Sequence, residues 1–129
     1  MSNNINESES FTKGQLLALN ERGKNILVSA CAGSGKTFTL VNRVLNMLIS
    51  GYVDIDQICV VTFTNAAAKE MKSKIKDAIV SKLNELNNMD KLSDQEREQV
   101  DRLNKANLHI DFATSFKTFN FILFACFLE

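Results

Sequence analysis

The chain has 129 residues, the size of one modest domain, and its 45% hydrophobic and 23% charged residues exclude wholesale disorder. Its formal net charge is zero, so bulk electrostatics does not draw it to nucleic acid, and any such contact must come from a local surface. The three cysteines, Cys31, Cys59 and Cys126, are scattered and lack a C-x-x-C pair, which fits reduced thiols in a cytoplasmic protein better than a disulfide frame or a zinc site.

Residues 1–10 are polar and acidic, without a basic segment leading into an apolar one; they read as a disordered leader and not as a signal peptide. Thr12 and Gln15 then stand at capping-box spacing, which predicts a short helix running to about Asn20. Residues 26–28, Ile-Leu-Val, are a brief apolar run that stops at small residues, the pattern of a buried parallel strand. A Gly-rich turn follows, and then a helix over about 36–50 with Phe38, Val41, Val44, Leu45 and Leu48 on one face and Gly51 as its stop. Residues 58–62 form a second apolar run. A long helix over about 66–87 comes next, with Met71, Ile75, Ile79, Leu83 and Leu86 as its buried stripe. Ser93 and Glu96 make another capping box, opening a helix through Val100 and Leu103, and the apolar–polar alternation of 108–112 suggests a third strand. Strand, helix, strand, helix, helix, strand is the order of an α/β fold, an open parallel sheet with right-handed crossovers that is here incomplete.

Residues 112–129 behave differently. Phenylalanines crowd them with no clear period, and no turn residue breaks them, because the chain has no proline and its last glycine is Gly51. Thr114, Ser115, Lys117, Thr118 and Asn120 interrupt the stretch, which is at the short limit for a bilayer span, so no membrane role is expected.

The chemistry lies between the first expected strand and the helix after it. Ala30, Cys31, Ala32, Gly33, Ser34, Gly35, Lys36 and Thr37 match the P-loop (Walker A) pattern G-x-x-x-x-G-K-[ST], with Ala30 in place of the first glycine. A triphosphate needs backbone N–H donors wrapped closely around it, which small residues permit, and a helix N-terminus adds its positive dipole end. In such a site Lys36 reaches the β- and γ-phosphates of ATP, and the Thr37 hydroxyl coordinates Mg2+. Chance Gly/Ser/Lys strings occur in ordinary loops, but they rarely fall between a strand pattern and a helix pattern.

Two further segments narrow the reading. Phe11-Thr12-x-x-Gln15 precedes the loop, and T-F-T-N-A-A-A-K-E-M, spanning residues 62–71, follows the second expected strand. With A-C-A-G-S-G-K-T these resemble the Q motif, motif I and motif Ia of the UvrD/Rep-like superfamily 1 DNA helicases. The wording is most similar to the AddA type of bacterial ATP-dependent helicase/nuclease. The resemblance runs from Phe11 to about Leu108 and implies the N-terminal part of a RecA-like P-loop NTPase domain over 11–111. It implies that Gln15 reads the adenine edge, for which its other role, completing the capping box, is a competitor that need not exclude it. It also implies that Phe63, Thr64 and Asn65 touch single-stranded DNA, Phe63 by stacking and the other two through the backbone. Without the resemblance, Phe63 reads as packing under the next helix. Lys69, Lys72, Lys74 and Lys76 read as a solvated face with some phosphate attraction, and His109 carries no functional reading. The family further implies ATP with Mg2+ as cofactors and, as partner, the nuclease/helicase B-subunit of the same complex. A bacterial cytoplasmic location and a role in DNA double-strand-break repair come with it.

A motor of this family also needs a later carboxylate pair for Mg2+ and arginines from a second motor domain. Neither is expected in this chain, so it reads as an N-terminal fragment that is catalytically inactive alone. The alternative is a stand-alone nucleotide-binding or regulatory module. Near Leu108 the text H-I-D-F-A-T-S-F departs from the family's pattern, and residues 112–129 read as the product of a frameshifted or prematurely ended reading frame, which translation of the gene in all frames would test.

Overall fold

The structure, a computed structural model, describes residues 11–29, 31–62 and 64–112. Four α-helices follow one another: α1 (Lys13–Asn20), α2 (Lys36–Ile49), α3 (Asn65–Asn87) and α4 (Asp94–Phe112), with a 3-10 turn at Ile55–Gln57.

Local chemistry sets most of these boundaries. Thr12 caps α1, its hydroxyl accepting from the Gln15 N–H at 3.3 Å while the Gln15 Oε1 accepts from the Thr12 N–H at 2.8 Å. The Thr64 hydroxyl caps α3 by accepting from the Ala67 N–H at 3.1 Å. At the start of α4 the Ser93 hydroxyl accepts from the Glu96 N–H at 3.3 Å, and the Ser93 N–H donates to the Glu96 carboxylate at 2.7 Å. Helix α2 ends in a Schellman motif: Tyr52 N–H reaches the Met47 carbonyl at 3.0 Å and Gly51 N–H the Leu48 carbonyl at 3.1 Å, with Gly51 at φ 69°.

The core lies where α2, α3 and α4 meet. Val41, Val44, Met47 and Leu48 from α2 close on Ile75, Ile79, Leu83 and Leu86 from α3, and on Leu103, Ala106 and Ile110 from α4. Helix α1 docks on α2 by burying Leu19, and the Arg43 guanidinium donates to the Ala18 carbonyl. Among the described residues no helix is long and apolar enough to cross a membrane.

The open parallel α/β sheet of a RecA-like P-loop NTPase domain, expected from the sequence, is not present: the described residues are helical and contain no strand. Two of the expected strands, residues 26–28 and 58–62, are non-helical segments without a ladder partner among the described residues. An apolar run becomes a strand only when its N–H and C=O groups find a neighbour, and Leu27, 96% exposed, is not even covered by side chains. The third, 108–112, lies in the last turns of α4. There the helical spacing of Leu103, Ala106 and Ile110, all buried, overrides the short alternation, which would have put Leu108 on the same face as Ile110; Leu108 is 69% exposed. The leader at 1–10 and the segment 113–129 lie outside the described residues.

Candidate functional site

Residues 31–37 form the turn leading into α2. The Ser34 N–H and hydroxyl both donate to the Cys31 carbonyl, at 3.2 and 2.5 Å, closing a tight turn with Gly33 at φ 77°, where a type II turn requires a positive φ. Gly35, at φ 80°, is the N-cap of α2 and offers no side chain to cap it. The Gly35 carbonyl accepts from both the Thr39 N–H and the Thr39 hydroxyl, each at 2.8 Å. The Ser34 carbonyl accepts from Gln15 Nε2 at 3.3 Å.

These bonds give the turn a definite chemical polarity. Three of its carbonyls, those of Cys31, Ser34 and Gly35, are committed to donors within the protein. The amides of the first helical turn have no acceptor inside the helix by construction, and the positive end of the α2 dipole lies at the same place. A turn with three of its acceptors committed to the protein and a helix N-terminus at its base suits a phosphate anion. Nothing lies within 4 Å of a Cβ built on Gly33, so a bulky group can approach the backbone there. Lys36 and Thr37 are exposed on the same turn. Gly33, Gly35, Lys36, Thr37 and Phe38 line one end of an open groove of about 1250 Å3 that continues between α2 and α3.

Of the expected site residues, the structure brings together Gln15, Gly33, Ser34, Gly35, Lys36 and Thr37, with Cys31 and Ala32 exposed on the same turn. Ala30 and Phe63 lie outside the described residues. Thr64 and Asn65 sit at the start of α3, where the Thr64 hydroxyl is occupied as a cap and the Asn65 side chain is exposed. On the lysine face of α3, Lys74 pairs with Glu70 at 2.6 Å, and that contact holds the Glu70 carboxyl below its usual range. Burial pushes the Cys59 thiol up. No cluster able to hold a metal occurs among the described residues.

One participant was assigned elsewhere by the sequence pattern. Phe38, placed on the buried face of α2 by its spacing, is 40% exposed and stacks on Phe11, with ring centroids 5.3 Å apart and planes at 23°. An apolar residue just before an N-cap ordinarily turns back onto its own helix, whereas Phe11 reaches across to the next one. The available signal was that both aromatic residues flank the two motifs.

A model of the UvrD/REP helicase N-terminal domain matches residues 11–118. The chain belongs to this family. The match runs to residue 118, past Leu108, where a departure from the family's pattern was expected from the sequence. Among curated relatives, the chain is 50% identical over 98 residues to the A-subunit of an ATP-dependent helicase/nuclease from Pediococcus pentosaceus, covering 76% of this chain and 8% of the relative. It is 41% identical over 103 residues to the protein of that name from Alkaliphilus metalliredigens, covering 78% of this chain and 8% of the relative. With the Lactobacillus helveticus protein of that name the identity is 55% over 73 residues, covering 57% and 6%. This UvrD/REP chain therefore spans less than a tenth of the length of the relatives it matches.

Proposed function

We propose that this chain is the nucleotide-binding N-terminal segment of an AddA-type ATP-dependent helicase/nuclease, and that residues 30–37 are its P-loop. The observation that carries the proposal is the polarity of the turn: three of its carbonyls, those of Cys31, Ser34 and Gly35, are held by Ser34, Gln15 and Thr39, and the turn leads into the N-terminus of α2, whose first amides have no acceptor within the helix. ATP bound there would rest its phosphates against the amides at the start of α2, with Lys36 offsetting the β- and γ-phosphate charge and Thr37 offering its hydroxyl to Mg2+. Bound Mg2+ would supply charge neutralisation between the phosphate oxygens. Gln15, whose amide donates to the Ser34 carbonyl, would meet the base.

The start of α3 is the proposed contact for single-stranded DNA, through Phe63, Thr64 and Asn65. Capping uses the Thr64 hydroxyl only as an acceptor, which leaves its O–H as a donor toward a phosphate oxygen beside Asn65. Unwinding, pairing with a B-subunit, and repair of double-strand breaks are proposed for the longer helicase. Hydrolysis needs a carboxylate to place Mg2+ and water, and arginines to offset transition-state charge. The residues assigned here supply neither, so this chain is assigned binding alone.

Calorimetric titration of Mg-ATP into the chain and into Lys36→Ala tests the proposal. One saturable site in the first, lost in the second, is expected. Absence of binding in both, or equal binding in both, would overturn it.

A further inference from the structure

We infer that Gln15 is a positioning residue for the phosphate loop, holding the loop's shape in addition to any contact with the base; this rests on the nucleotide-binding reading above. The Gln15 amide is engaged at both ends. Its oxygen accepts from the Thr12 N–H at 2.8 Å, which fixes the side chain across the start of α1. Its nitrogen donates to the Ser34 carbonyl at 3.3 Å and stands 3.0 Å from where a Cβ on Gly35 would lie. One side chain thus spans from the first turn of α1 to the two loop residues just before Lys36.

The tie acts where the loop has most freedom. Gly33 and Gly35 both have positive φ, and a loop built on two such glycines has many conformations to lose before it can wrap an anion. Holding the Ser34 carbonyl toward α1 turns the following peptide N–H, that of Gly35, to the opposite side, because the two groups of a trans peptide point in opposite directions. Phe11 adds a second tie by stacking on Phe38, three residues past the N-cap of α2. The pair fixes 11–15 against 34–38, so the segment read for its base contact also shapes the phosphate cradle. The second hydrogen of Nε2 remains for an acceptor on a purine edge.

Inorganic tripolyphosphate separates the two roles, because it fills the phosphate site and has no base. Binding of tripolyphosphate and of Mg-ATP is measured by calorimetry for the full chain, Gln15→Met and Thr12→Ala. Gln15→Met keeps the volume and removes both hydrogen bonds. Thr12→Ala weakens the cap of α1 and leaves the amide in place, and circular dichroism checks that both variants keep their helices. The positioning role predicts that Gln15→Met weakens tripolyphosphate and ATP alike, roughly three- to tenfold for one lost hydrogen bond, while Thr12→Ala changes tripolyphosphate binding less than about twofold. Loss confined to ATP would make Gln15 a base contact only and overturn the inference. So would no loss with either ligand, or an equal loss in Thr12→Ala. If the unaltered chain binds neither ligand, the nucleotide-binding reading itself fails.

Discussion

Replacing Gly51 with alanine tests how α2, the helix that begins at the proposed phosphate loop, is held at its other end. Two costs add. Gly51 sits at φ 69°, and a Cβ in that left-handed conformation costs about 1–2 kcal/mol. The new methyl would also lie 2.8 Å from Arg102 Cζ and 2.9 Å from its Nε, inside contact distance. The guanidinium can move, but only by giving up its 3.0 Å bond from Nη1 to the Ile49 carbonyl, the last carbonyl of α2. A charge-assisted bond at a part-exposed position is worth about 1 kcal/mol in this setting. Gly51→Ala is therefore expected to cost about 2–3 kcal/mol in all. In an Arg102→Met background, where the guanidinium is already gone, only the backbone part, about 1–2 kcal/mol, should remain. Urea unfolding followed by circular dichroism, on the two single variants and the double, measures both values. A Gly51→Ala loss under about 0.5 kcal/mol would refute the left-handed cap. Equal losses in the two backgrounds would refute the contact with Arg102.

Two more perturbations bear on α4. Leu103→Ala empties a fully buried position and should cost about 2–5 kcal/mol, while Leu108→Ala, at a site 69% exposed, should change urea stability by less than about 0.5 kcal/mol; similar losses at the two sites would favour the strand register over the helix. The hydrogen bonds from the Ser93 hydroxyl and then the Ser93 N–H hold the Glu96 carboxyl below its usual range. A depressed folded pKa contributes stability above the ordinary glutamate value of about 4.3 and loses it as pH falls through the folded value. The stability gap between the chain and Glu96→Ala should thus be full at neutral pH and shrink below about pH 4.3, and a gap unchanged down to about pH 3 would show that the carboxylate charge contributes nothing to the cap.

The parts of the fold legible in the sequence were those decided by neighbours in the chain. Thr12 with Gln15 and Ser93 with Glu96 marked helix starts because each box closes within four residues, and Gly51 marked a stop for the same reason. The buried stripes of α2 and α3 followed from spacing, with Leu45 and Met71 partly buried and Phe38 turned out to meet Phe11. The sheet was misjudged because a strand depends on a partner distant in sequence, and the apolar character of 26–28 and 58–62 does not say whether that partner is there. At 108–112 a five-residue alternation was given more weight than a helical spacing begun at Leu103, and the longer pattern won. The turn into α2 was legible through Gly33, Gly35 and the helix pattern after it, and its phosphate-binding role is the proposal. Its tie to Gln15 was not, because the bond to Ser34 joins residues that only the docking of α1 on α2 brings together.

The central claim is that the turn before α2 holds the phosphates of a nucleotide. Titrating Mg-ATP into the isotope-labelled chain and following the backbone amide resonances tests it residue by residue. The account predicts saturating shifts concentrated at Gly33, Ser34, Gly35, Lys36 and Thr37, and absent in Lys36→Ala. Shifts confined to the groove wall around Lys74 and Lys82, or none at the turn, would contradict it.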